Sequence, residues 1–165
     1  MAQLTNSINY GDLTVTGNIN TIGNITANRV YNAVFNDYAE CFDNRELNYS
    51  ECKHRIVELD DEGFTVLANK NSRKVIGIVS DNYGVLLGGD MANIMNGNKI
   101  PVGLAGTLYV DTMTPVSNND IGMFLTSTGG GYGSPKANPE PGTSVGKIIG
   151  IDKINNRYKV LLCLT

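Results

Sequence analysis

Tryptophan is absent from these 165 residues, histidine occurs once, and charged side chains make up only 18%. Each shortage removes a class of function. The single histidine, His54, has no second imidazole with which to share a metal ion and no CxxC pair accompanies it, so a zinc site is not expected, and without a G-x-S-x-G turn neither is a hydrolase triad. His54 is read instead as a solvent-facing strand residue. The 13 basic residues face 16 acidic ones and form no stripe, which excludes the phosphate neutralisation that nucleic-acid binding requires. No run approaches the roughly 20 apolar residues of a membrane-spanning helix, and residues 1–6 lack the charged start and apolar centre of a secretory signal. The expectation is a protein made and assembled in a cytosol, without membrane insertion. Cys41, Cys52 and Cys163 are odd in number and form no CxxC pair, so they read as reduced structural thiols.

What is present suits β structure. Hydrophobic residues amount to 41%, enough for a core, and the 19 glycines and many asparagines accept the positive φ of tight turns. From residue 54 the apolar period is two. The stretch 54–59 alternates, Asp60-Asp61-Glu62-Gly63 supplies a turn, and 64–67 returns, which predicts a hairpin. Further strands are predicted at 74–79, 85–87, 100–102, 107–110, 122–125, 145–151 and 158–164, with turns at 80–84, 117–120, 128–133 and 152–156 and one helical turn at 91–95. The expected class is all-β, with a barrel or sandwich-like C-terminal domain at 37–165.

Residues 1–36 read differently. Leu13, Val15, Ile19, Ile22, Ile25 and Val30 form one thin apolar line separated by Thr, Asn and Gly, and Gly17-Asn18-Ile19 recurs six residues later as Gly23-Asn24-Ile25. One such line cannot bury itself in a single chain, and an isolated two-stranded hairpin is marginal. Three copies wound together can place it on a common axis, so the segment reads as an intertwined homotrimeric β stalk, joined to the domain through 30–42.

Two glycine-rich stretches fail as phosphate loops. Gly142-Thr143-Ser144-Val145-Gly146-Lys147 has three residues between its glycines where four are needed, and Gly129-Gly130-Gly131-Tyr132-Gly133 runs into Ser134-Pro135 instead of a helix. No cofactor is expected. Ser80 ends an apolar strand, where a Ser–Lys pairing with Lys74 or Lys70 is one reading and ordinary turn chemistry the other. Asn36-Asp37-Tyr38-Ala39-Glu40 places two carboxylates three residues apart among apolar neighbours. Burial and mutual repulsion can separate the pKa values of such a pair and leave one as an acid or base toward a nearby peptide bond. The Asn36 side-chain amide can also attack its own carbonyl, or Asp37 can activate a water or attack the carbonyl of Asn36. A solvated Asn-Asp turn is the ordinary reading of the same residues.

The block 30–40, Val30-Tyr31-Asn32-Ala33-Val34-Phe35-Asn36-Asp37-Tyr38-Ala39-Glu40, resembles the start of the peptidase G2 domain, and the likeness runs on through Arg55-Ile56-Val57, 75–80, 100–106, 146–151 and 158–164. The resemblance implies a C-terminal intramolecular chaperone of phage tailspikes and neck appendages that cuts itself off. Carried over, it puts the cut between Asn36 and Asp37, with Asp37 and Glu40 as the functional carboxylates. It implies a homotrimer, attached to the rest of a phage fibre or tail and located in the virion. A permanent fibre tip touching a host surface, with Tyr83, Tyr109 and Tyr132 as contacts, is the alternative.

Overall fold

A computed structural model describes residues 37–89 and 91–164, together with Thr16. The chain divides into two units, Met1–Tyr31 and Asn32–Thr165, and apart from Thr16 every described residue belongs to the second. The predicted stalk at 1–36, and Asn36 with it, lie outside the described residues.

The second unit is all-β. Its strands are β1 (Asp37–Asp43), β2 (Ile56–Leu59), β3 (Thr65–Leu67), β4 (Val75–Val79), β5 (Val85–Leu87), β6 (Lys99–Asp111), β7 (Phe124–Ser127), β8 (Gly133–Lys136), β9 (Ser144–Asp152) and β10 (Arg157–Leu162), with two short helices, α1 (Tyr49–Cys52) and α2 (Met91–Met95). They form one ten-stranded sheet in the order β3-β2-β4-β6-β10-β9-β7-β8, with β1 against β6 and β5 against β1. The predicted hairpin forms, Leu59 opposite Thr65 and Val57 opposite Leu67.

The sheet is not closed into a barrel. Its end strands β3 and β8 pair only with β2 and β7. Isolated backbone bonds nonetheless curl the ends toward each other, Gly131 N–H to the Ala68 carbonyl (3.1 Å) and Asn71 N–H to that of Ser127 (2.9 Å). Inside the curl lies the main core, which includes Ile56, Ile78, Leu108, Val110, Leu125, Ile148, Tyr158 and Val160. A second cluster, Cys52, Val57, Val79, Ile100 and Val102, packs with Phe42 and Tyr49. Neighbours in sequence such as Ile78 and Val79 enter different clusters because successive strand side chains alternate faces.

The 13-residue β6 organises the fold. Two separate strands, 100–102 and 107–110, are predicted there, but the backbone runs straight through. Tyr38 pairs with Ala105 and Ala39 with Gly103, so Leu104 is an extra residue that bulges from β6. Small residues surround the bulge because space is short: a Cβ on Gly103 would stand 2.8 Å from the Asp37 carboxylate and from Leu108. β1, read from sequence as a joint, is a full strand, antiparallel to β6 and parallel to β5. β8 contains Pro135 and reads as a loop, yet it is an edge strand, where a missing N–H is tolerated.

Candidate functional site

Asp37 opens β1 with only 1% of its surface exposed. Its Oδ1 accepts a hydrogen bond from the Ser80 hydroxyl at 3.1 Å, and its buried Oδ2 has no hydrogen-bond partner among the described residues. Burial disfavours the charged form and raises the carboxyl from the ordinary range to about 6; the Ser80 bond opposes that rise and the nearby Asp81 charge adds to it. Such a group holds and releases a proton close to neutral pH.

Ser80 comes from the turn after β4 and is fully buried. Its N–H donates to the Pro101 carbonyl (2.9 Å), and its own carbonyl accepts from the Tyr49 hydroxyl (3.1 Å). Tyr49 is set by α1, which Asn48 caps by accepting from the Ser50 N–H. Burial raises the Tyr49 hydroxyl to about 12, so it remains a donor. The Ser–Lys pairing considered for Ser80 does not form; Lys74 Nζ pairs with Asp61 and the serine faces a carboxylate.

His54 corrects its expected exposure. It is buried, its backbone adopts φ 62° at the bend before β2, and its Nε2 lies 2.9 Å from Asp81 Oδ2. The turn at Ser80 and Asp81 is thus tied to β6 through Pro101, to α1 through Tyr49, and to the start of β2 through His54.

A cleft of about 290 Å³ adjoins this cluster, lined by Asp37, Asp81, Asn82, Thr107, Leu108, Tyr109 and Lys159. It sits where two strands meet end to end. Gly103 pairs with both Ala39 and Ile78, which puts β1 and β4 on opposite edges of β6. Asp111 N–H bonds the His54 carbonyl on the β4 side, so β10, which pairs with Asp111 through Arg157, shares the edge of β1. On that edge Asp37 pairs with Gly106, and the next position, Thr107, is already taken by Leu161 of β10. Among the described residues, the pairing of β1 with β6 ends at Asp37, where that of β10 begins.

The structure does not bring Asp37 and Glu40 together. β1 carries no extra residue of its own, so side chains three apart point to opposite faces, as the buried and more exposed positions from Asp37 to Cys41 alternate. Glu40 pairs with Val102 of the second core cluster and lies beside Gly88, while Asp37 lies against Leu108 of the first. Of the two glycine-rich stretches, read from sequence as loops, 129–132 is a loop leading into β8, whereas in the other Gly142 and Thr143 form a turn and 144–147 are the first residues of β9. In the first, Arg55 stacks 3.5 Å over the Tyr132 ring and its guanidinium donates to the Gly130 carbonyl at 2.9 Å. Sequence reading found Asp37 but missed its partners: Ser80 is 43 residues away, and the only local sign was a polar residue ending an apolar strand.

No protein-family model matches the chain, and no curated protein matches it. Among solved structures, the pre-mature bacteriophage phi29 gene product 12 matches with a TM-score of 0.58 at 16% identity, over 87% of this chain and 24% of that one. The two share a fold. The chain thus spans about a quarter of the phage protein's length, and at this identity the likeness speaks for architecture alone. Among the described residues no helix is long and apolar enough to cross a membrane.

Proposed function

We propose that this chain is the C-terminal trimerisation domain of a phage tail fibre or tailspike, an intramolecular chaperone that cuts itself from the assembled fibre between Asn36 and Asp37. The observation that carries the reading is the buried Asp37 carboxyl, with one oxygen that has no hydrogen-bond partner among the described residues, beside the point where β10 takes over from β1 along β6. A fold gains nothing from such a group, since burying an unpaired carboxylate oxygen opposes folding. As a base poised near pH 6 it suits proton transfer. Oδ2 takes a proton from water while the water oxygen bonds to the carbonyl carbon of Asn36. The carboxyl then returns that proton to the Asp37 nitrogen as the C–N bond breaks, leaving a carboxylic acid on residue 36 that passes its proton to the new amine of Asp37.

The shared fold with a pre-mature phage protein supports the setting, as does the thin apolar line at 13–30, which needs two identical companions. A domain that trimerises first turns threading of the stalk into an effectively intramolecular step, and its removal afterwards leaves the fibre kinetically trapped. In this reading the protein belongs to the virion, attached to the rest of a fibre or tail. Glu40 lies half-buried on the other face of β1. The second reading, a tip that stays attached and touches a host surface, is favoured by the exposed Tyr38, Tyr109 and Met95.

Intact-mass measurement with light scattering separates the two. The cleavage reading expects a trimer and a fragment beginning at Asp37, lost in Asp37→Asn. A chain that stays whole at every pH and after prolonged incubation leaves only the permanent tip.

A further inference from the structure

We infer that Ser80 is a positioning residue for Asp37, fixing the direction in which its free carboxyl oxygen points, and that the pairing of Asp81 with His54 holds the turn that presents it. The inference rests on the cleavage reading above.

A carboxylate has two chemically equal oxygens, and rotation about its last bond exchanges them. Such an exchange restores the same arrangement, so what a donor to one oxygen fixes is the direction of the other. The Ser80 hydroxyl engages Oδ1 at 3.1 Å in a fully buried setting, and Oδ2 has no hydrogen-bond partner among the described residues. Ser80 cannot drift, because its N–H is bound to Pro101 and its carbonyl to Tyr49. The following residue, Asp81, is held at 2.9 Å by His54. His54 is in turn pinned through both backbone groups, its N–H to the Val79 carbonyl and its carbonyl to the Asp111 N–H, each at 3.1 Å. Its left-handed φ, unusual for a side-chain-bearing residue, is kept because that bend delivers the imidazole to Asp81.

The charged and titratable groups around Asp37 come from several elements. Asp81 acts on Asp37 through space from the β4–β5 turn, and Asp37 in turn raises the Tyr49 hydroxyl of α1. Tyr109 of β6 and Lys159 of β10 line the same cleft, and His54 faces Asp81. The two arms of the turn therefore push the Asp37 titration in opposite directions. The Ser80 hydroxyl favours the ionised form by donating to it, while the Asp81 charge disfavours it.

That opposition supplies the test, made on the full chain from the pH dependence of the appearance of the Asp37 fragment. With Asp37 as base, the rate rises with pH and levels off. Ser80→Ala is expected to move the rising limb to higher pH and to slow cutting about tenfold below it, the size of one lost hydrogen bond to a carboxylate. Asp81→Asn keeps a hydrogen-bonding partner for His54 and is expected to move the limb to lower pH. Slower cutting with an unmoved limb in both variants means a merely structural role and overturns the inference, as does an unchanged rate in Ser80→Ala. A wild-type chain that never cuts overturns the cleavage reading by itself. The Ser80 assignment is then decided by carbon NMR titration of the Asp37 carboxyl, whose midpoint must rise in Ser80→Ala; an unmoved midpoint sinks it.

Discussion

Folding sends Asp37 into the interior with, among the described residues, a single hydrogen bond for its two oxygens, and the sign of the resulting pH effect follows directly. The folded carboxyl holds its proton up to about pH 6, whereas an unfolded one releases it near 3.9. At low pH both are neutral and nothing is lost. As pH rises through this window the unfolded state ionises first, so stability falls, and above it the loss is complete, on the order of 2–3 kcal/mol. Asp37→Asn is therefore expected to raise the urea midpoint at pH 8 and to change it little at pH 4. An equal gain at both pH values would show that the charge is not what opposes folding. The cysteines give an independent check on burial. Cys41 and Cys52 are buried, Cys163 is exposed, and burial raises the Cys52 thiol to about 11. Under native conditions a maleimide should label Cys163 alone, with the other two reacting only on unfolding.

At the level of elements, close approach between strands sets the strictest limits. A Cβ on Gly77 of β4 would meet the Gly103 carbonyl oxygen at 2.3 Å, and one on Gly146 of β9 would meet that of Leu161 at the same distance. Both contacts are with backbone, which cannot swing aside, so Gly77→Ala should lower stability by about 3 kcal/mol in denaturant melts. Gly63→Ala, where nothing lies within 4 Å, tests only a positive-φ turn and should lose about 1 kcal/mol. The strands themselves were largely legible in the sequence. Alternation from 54 to 67 and the turn residues 60–63 predicted β2, β3 and their hairpin, although β2 buries both of its faces, Ile56 in the first core cluster and Val57 in the second. β1 was not legible, since Asp37 and Glu40 break the apolar pattern with a buried charge that no rule of periodicity anticipates. β6 was read as two pieces because Gly103-Leu104-Ala105-Gly106 looks like a turn, and only the squeeze between Asp37 and Leu108 explains small residues in a continuous strand. The site was legible by half. Paired carboxylates draw notice along the sequence, but Ser80, Asp81 and His54 join Asp37 through tertiary contacts alone.

For the molecule as a whole, the placement of Asp37 and Glu40 on opposite faces of β1 separates two ways of cutting. If Asp37 serves its own chain without Glu40, then Glu40→Gln should cut like the wild type. If a carboxylate from a neighbouring copy is needed, both Asp37→Asn and Glu40→Gln homotrimers should stay whole. Trimers assembled from a mixture of the two variants should then regain a fraction of the cut, read as fragment by mass spectrometry. Cutting of the Asp37→Asn chains in the mixture, without any loss in Glu40→Gln alone, would contradict both schemes.

The shared edge of β6 also bears on timing. Strand β10 fills the place beside Thr107 that would otherwise be open to the chain ahead of Asp37, and a ribosome makes β10 long after it has made Asp37. While translation is under way, the nascent polypeptide has its first strand and its acidic residue but not the neighbour that frames them. The junction reaches its final surroundings only after the remaining strands have emerged and docked, so the order of synthesis itself delays any reaction there until the domain is whole.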